Sequence, residues 1–190
     1  MQINESKKLM RAKYKSIRTS ISTDEKNKLC RKISQAFLVS NIYKNSDSVF
    51  IYVSSEIEVD THLIISFCFA DKKNVYVPRC IEGTSFMKFY EITSFEDLET
   101  GAYGILEPKN HCLPAEISCK GICVVPALAY DLNGYRLGFG KGYYDRFLCG
   151  FTGKKIGLCY ESCICSSLPH DEYDIVVDML ISDERIYVFE

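Results

Sequence analysis

Ser48-Val49-Phe50-Ile51-Tyr52-Val53 is a near-continuous β-branched and aromatic run, and it constrains the fold more than any other feature. A strand with one wet face alternates apolar with polar residues; one that does not alternate is buried on both faces. Similar runs follow at Asn74 to Val77, halted by Pro78, at Phe86 to Tyr90, and at Ile122 to Val125, halted by Pro126. Lys155 to Tyr160, Met179-Leu180-Ile181 and Ile186 to Phe189 complete the set, with helical stretches at Thr61 to Ala70 and about 142–149 between them. Buried strands alternating with helices predict an α/β fold. The expected architecture is a three-layer α/β/α, Rossmann-like domain with a largely parallel (mixed) central sheet and helices at the N-terminus. At the front, Ile3, Met10, Tyr14, Ile17 and Ile21 recur at spacings of 7, 4, 3 and 4, one face of a helix. Ser22 or Thr23 caps a second helix, with Asp24 and Glu25 in its first turn, running to about Leu38. At 190 residues, with no repeat, low-complexity tract or linker, the chain reads as one domain over 1–190.

Charge narrows the function. Lys and Arg total 23 against 25 acidic residues, a net charge of −2, so no nucleic-acid partner is expected. No apolar run approaches the ~18–20 residues of a membrane span, and the charged start MQINESKKLMRAKYKSIR lacks the apolar core of a signal peptide. A cytoplasmic protein without a membrane partner is expected. The ten cysteines are scattered, several inside apolar runs (Cys68, Cys123, Cys159), where a thiol acts as a small hydrophobe. Cys159, Cys163 and Cys165, with Cys119 or Cys123, offer four zinc ligands. Their C-x3-C-x-C spacing lacks a paired CxxC knuckle, and buried thiols are the preferred reading. Lys7, Arg11, Lys15 and Arg18 form a basic stripe about 80° around the first helix from its apolar face, at 100° per residue. Taken alone, such a stripe is a solvated helix face.

The most specific segment is PALAYDLNGYRLGFGKGYYDRFL, Pro126 to Leu148. A buried strand leads into a turn at Asp131 to Gly134, and a glycine-rich stretch with two cations follows, Arg136 to Gly142. Glycines at 138, 140 and 142 permit positive φ and close approach of backbone N–H groups to a ligand. Tyr143, Tyr144, Asp145 and Arg146 open a helix whose N-terminus adds donors, which together make a phosphate cradle. Lys141 and Arg136 can neutralise phosphate oxygens, and Asp145 is placed to hold Mg²⁺. Neither Walker A nor the dinucleotide fingerprint fits: Tyr135 stands where the former needs glycine, and Gly142 comes one place early for the latter.

RLGFGKGYYDRFL resembles the signature of the 5-formyltetrahydrofolate cyclo-ligase (5,10-methenyltetrahydrofolate synthetase) family. The similarity extends to Lys7 and Arg11, to Glu58, Asp60 and Thr61, to Gly104 to Pro108, to Val125 to Asp131, and to Asp174 to Asp178. It implies an enzyme, expected as a monomer, that uses ATP and Mg²⁺ to convert 5-formyltetrahydrofolate to 5,10-methenyltetrahydrofolate, releasing ADP and phosphate. The formyl oxygen would be phosphorylated first, N10 would close on the activated carbon, and phosphate would leave. Phosphoryl transfer asks a protein mainly for positioning and charge neutralisation, which this segment offers.

Carried onto this chain, the resemblance makes Lys7 and Arg11 an ATP-binding pair, leaving Lys15 and Arg18 as solvated cations. Arg136, Leu137, Gly138, Phe139, Gly140, Lys141, Gly142, Tyr143 and Tyr144 become the ATP loop. Lys141 is the γ-phosphate cation, and Tyr143 stacks on the folate; core packing is the alternative for either tyrosine. Val53 and Glu58 contact the folate, the latter through the pterin N–H edge. Asp145 and Asp178 are the magnesium ligands, with Asp174 nearby in the same acidic tail. Phe139 stands where relatives are often basic, and His62, His111 and His170 match no catalytic position. The rival readings are another phosphate-binding α/β enzyme and a nucleic-acid module built on the first helix.

Overall fold

The computed structural model describes residues 2–101, 104–116 and 121–189. Helix α1 spans Gln2–Ser20, α2 Thr23–Val39 and α3 Asn41–Lys44; α4 is His62–Ala70 and α5 Tyr143–Leu148. Of the two proposed caps for α2, Ser22 serves: its hydroxyl accepts the Glu25 N–H at 3.3 Å. Tyr14 is buried and Met10, Ile17 and Ile21 pack on the core as their spacing predicts, while Ile3 stays exposed.

The central sheet has seven strands: β1 (Ser48–Ile51), β2 (Asn74–Cys80), β3 (Met87–Ile92), β6 (Gly121–Val125), β9 (Lys154–Leu158), β11 (Met179–Ile181) and β12 (Ile186–Val188). Their order is β12-β11-β9-β6-β1-β2-β3. The five inner strands are parallel, and both edges, β3 and β12, run antiparallel. Every residue of β1 and of β6 is buried, as their unbroken apolar runs require. The crossover through α4 steps from β1 to β2 and the crossover through α5 steps from β6 to β9, in opposite directions along the sheet. Right-handed crossovers therefore place the two helices on opposite faces, giving three layers. On the α5 face, Phe50 packs against Phe151 at 5.1 Å and Phe89 at 5.3 Å between ring centroids.

Short strands unannounced by the sequence complete the fold. β4 (Leu98–Thr100) and β5 (Leu106–Pro108) form a hairpin; β7 (Ala129–Asp131), β8 (Arg136–Leu137) and β10 (Ile164–Cys165) form a small second sheet. Pro78 does not end β2. It pairs with Phe89, whose carbonyl turns away from β2 to accept the Ala115 N–H at 2.8 Å. Pro78 thus occupies a non-hydrogen-bonded position opposite β3, and β1 pairs with β2 only as far as Tyr76, so no ladder bond is lost. No helix among the described residues is long and apolar enough to cross a membrane.

Candidate functional site

A cavity of about 820 Å³ opens beyond the carboxyl ends of β1 and β6, where the sheet's connections reverse direction. Ligands bind at such switch points in open α/β sheets, and the volume lies within the ~300–1,000 Å³ of small-molecule sites. Tyr52, Val53, Pro78, Met87 and Leu106 give it an apolar wall. Lys7, Arg11, Lys141 and the loop at 138–142 give it a cationic one.

The turn before this loop is built by Asp131, which is fully buried. Its Oδ1 accepts the N–H groups of Asn133 (2.9 Å) and Tyr135 (3.0 Å), and its Oδ2 accepts that of Leu168 (2.8 Å). Within the loop, Gly140 (φ +98°) and Gly142 (φ +68°) take the left-handed backbone that L side chains resist. Gly138 departs from expectation: its φ is not positive and a Cβ there would meet open space. Arg11 is the loop's clamp, its Nε donating to the Gly138 carbonyl at 2.9 Å. Leu137 is buried beneath the loop and Phe139 is exposed on it.

The expected cations arrive already engaged. Buried Lys7 lies 2.5 Å from the Asp174 carboxylate and 3.6 Å from that of Asp171. Arg136, also buried, donates to the Ile175 carbonyl at 2.6 Å and pairs with Asp145. Arg136 therefore ties the 171–175 segment to α5, in addition to lining the cavity. Lys141 is exposed at the cavity rim.

On the apolar side, Val53 and buried Glu58 both line the cavity. Glu58 Oε2 accepts the Ser55 N–H at 2.8 Å and the Ser55 hydroxyl at 2.7 Å. The loop carrying it is pinned by Tyr52, whose hydroxyl donates to the Val59 carbonyl, and by Tyr160, whose hydroxyl donates to the Glu58 carbonyl, each at 3.1 Å. Asp60 is held near pKa 2, first by its hydrogen bond to His62. The two tyrosines of the loop diverge. Tyr143 reaches across to the Thr84 carbonyl at 3.5 Å. The Tyr144 hydroxyl is buried without a partner, and burial pushes its pKa far up.

Two residues differ most from the sequence reading. Arg18 is not solvated; only 4% of it is exposed. Its guanidinium donates to the carbonyls of Ala127 (2.7 Å), Leu128 (2.9 Å) and Ile57 (3.0 Å) and sits 5.3 Å from the Tyr160 ring centre. It thereby joins the Glu58 loop to the segment leaving β6. Helical periodicity placed Arg18 beside the apolar face but held no sign of three distant carbonyls. Asp178 is not brought to the cavity. It precedes β11 at the level of Lys155, on the amino-terminal side of the parallel strands. There it binds Lys154 Nζ (3.1 Å), Lys155 Nζ (3.1 Å) and the Lys155 N–H (2.8 Å). Burial alone would raise its pKa; those hydrogen bonds outweigh it and hold the carboxyl low. Asp171, Glu172 and Asp174, earlier in the chain, are the tail carboxylates that line the cavity with Asp145. Arg146 also went unread: it donates to the carbonyls of Ser85 (2.6 Å) and Lys141 (2.5 Å), fastening the glycine loop to the β2–β3 turn.

Of the sulfur ligands considered, Cys159 and Cys163 are buried beside Arg18, Cys123 is buried within β6, and Cys119 lies outside the described residues.

Fold and cavity together define an α/β protein with a cleft of one cationic and one apolar wall at a sheet switch point. The chain matches the sequence profile of the 5-formyltetrahydrofolate cyclo-ligase family over residues 3–183. It is similar to the 5-formyltetrahydrofolate cyclo-ligase of Mus musculus, at 28% identity over 96% of each chain. Among solved structures it is similar to 5,10-methenyltetrahydrofolate synthetases of Aquifex aeolicus and Mycoplasma pneumoniae. The first gives a TM-score of 0.85 at 31% identity, covering 97% of this chain and 93% of that one. The second gives 0.73 at 26%, covering 93% and 98%. The chain belongs to the 5-formyltetrahydrofolate cyclo-ligase family.

Proposed function

We propose that this chain catalyses the ATP-dependent conversion of 5-formyltetrahydrofolate to 5,10-methenyltetrahydrofolate, with ADP and phosphate as the other products. The observation that carries the reading is one cavity with two chemistries, an apolar wall ending at Glu58 and a cationic wall ending at Lys141, in a member of this family. The pterin lies along Val53 with its N–H edge on Glu58, whose carboxylate is already oriented by Ser55. The triphosphate lies along Arg11 and the loop at 138–142, with Tyr143 beside the folate. Placing the two substrates end to end brings the formyl oxygen to the γ-phosphorus. The oxygen attacks in line as the bond to the ADP oxygen breaks, N10 adds to the activated carbon and loses its proton, and phosphate departs. Lys141 neutralises charge on the phosphoryl group in flight.

A magnesium ion suits the hard carboxylate oxygens of Asp145 and Asp174, the first anchored by Arg136 and the second by Lys7. Such an ion needs only one or two protein carboxylates, the rest of its shell being phosphate and water. Bound there, it would offset charge on the ATP oxygens. The chain works as one domain and as a monomer, in a reducing compartment such as the cytoplasm that suits its free thiols. The test is the absorbance of the methenyl product on mixing protein, ATP, Mg²⁺ and 5-formyltetrahydrofolate. Product should form only with all components present; formation without nucleotide, or none from folded protein, overturns the reading.

A further inference from the structure

Away from the cavity, Asp97, His111 and Cys112 bring three metal-ligating atoms within 4.8 Å of one another. We propose that these side chains form a zinc site that staples the base of the β4–β5 hairpin. The carboxylate is set for the task. Asp97 Oδ2 accepts the Thr93 N–H (2.7 Å), the Thr93 hydroxyl (3.0 Å) and the Ser94 N–H (3.2 Å). Those bonds leave Oδ1 to face His111 Nε2 at 3.1 Å. A ligating carboxylate fixed through its other oxygen is the usual outer-shell arrangement of metal sites. Bonds of ~2.0–2.3 Å to a tetrahedral zinc put its ligand atoms roughly 3.2–3.8 Å apart, so the His–Asp pair is near this spacing and the thiol needs a small inward turn. Cys112 Sγ already points at the Asp97 residue, 3.7 Å from its carbonyl oxygen. One imidazole, one carboxylate and one thiol are the mixed, borderline-soft donor set that zinc takes in preference to magnesium or calcium.

Position gives the site a consequence. Asp97 immediately precedes β4, while His111 and Cys112 follow β5 by one turn, itself closed by the Cys112 N–H on the Lys109 carbonyl at 3.0 Å; the Lys109 N–H on the Asp97 carbonyl, at 2.8 Å, joins the two ends of the hairpin. The same hairpin carries Ile105, Leu106 and Glu107 on the cavity wall. An ion at its base would hold both ends together without touching substrate. None of the three ligands lines the cavity, so the proposal is independent of the folate reading.

Cobalt(II) is the probe, added to the full chain with its thiols reduced and without oxygen. A thiolate-to-cobalt charge-transfer band should saturate at one equivalent and be displaced by Zn²⁺. The band should vanish in Cys112→Ala and persist in Cys149→Ala, which removes an exposed thiol elsewhere. His111→Ala guards against misfolding, because that ring is largely exposed and leaves the core intact. It should weaken cobalt binding on the order of tenfold or more and abolish the rise in Tm that Zn²⁺ gives the parent. No saturable band, a band that survives Cys112→Ala, or an equal Tm rise in His111→Ala would overturn the proposal.

Discussion

Replacing Arg18 by Met keeps most of the apolar stem and removes every donor. The carbonyls of Ala127, Leu128 and Ile57 then lose the partner that now binds all three. A buried acceptor left without a donor costs ~1–3 kcal/mol, and deleting the cation also removes the several kcal/mol its own burial costs. The three carbonyls together therefore cost ~3–9 kcal/mol, and setting the recovered burial cost against the middle of that range leaves a net loss of about 2–4 kcal/mol. Against the ~5–15 kcal/mol that holds a typical domain, that is a large fraction. Urea denaturation reads it directly: the midpoint should fall by roughly 1 M with the slope unchanged. A second consequence follows from where the carbonyls lie. Ile57 neighbours Glu58 and Ala127 neighbours Pro126, so loosening this junction disturbs first the side of the cavity where we propose that the folate binds. KM for 5-formyltetrahydrofolate should rise severalfold while KM for ATP stays within about twofold. A stability loss below about 1 kcal/mol would show that water serves these carbonyls as well as the guanidinium does, and the argument for Arg18 as a junction would fail.

Lys141→Ala should lower kcat by roughly 10²-fold with Tm preserved, because a loop cation at the rim adds little to the core; a kcat within about twofold of the parent would remove it from the reacting phosphate. Asp145→Asn should raise the Mg²⁺ concentration that gives half-maximal rate, whereas Asp178→Asn should leave that titration unchanged and lower Tm by about 2–4 °C at pH 7. Since the folded Asp178 carboxyl is held low, its contribution is present above the ordinary carboxylate pKa of ~3.9 and is lost as pH falls through the folded value, so the Tm gap should close in acid; a gap that persists there would show that the lysine contacts are not its source. Tyr144→Phe removes an unpartnered buried hydroxyl, and chemical denaturation should find the variant equal to or up to ~1–3 kcal/mol more stable than the parent; a loss of stability would mean that the hydroxyl has a partner.

The sheet was legible because burial on both faces leaves a local mark. Ser48 to Val53 and Ile122 to Val125 carry no polar alternation, and inner parallel strands form there over Ser48–Ile51 and Gly121–Val125. The glycine loop was legible because Gly140 and Gly142 answer a backbone demand written in the residue itself. Strands of two or three residues, such as β8 and β10, leave no period to detect. Pro78 misled because whether proline breaks a strand depends on which side its nitrogen faces, a matter of register with β3. Arg18 and Asp178 misled for one shared reason. A charged side chain looks alike in sequence whether it meets water, a carbonyl or a lysine, and the partners of both lie on other segments.

The pairing of Ser48 with Gly121 has a kinetic consequence. The two strands whose ends frame the cavity are neighbours in space, yet the chain between them contains all of α4, β2, β3, β4 and β5. Closing so long a loop must precede the contacts that reward it, which makes this juncture a slow, late event in folding. During synthesis, the emerging chain has no cleft until β6 has been made and has docked. Intermediates lacking that contact would leave the inner edge of β1 bare, a template for pairing with another copy. Ligands of this cleft can then act as folding ligands only on the finished sheet. They draw the equilibrium toward the native state by mass action without speeding its formation.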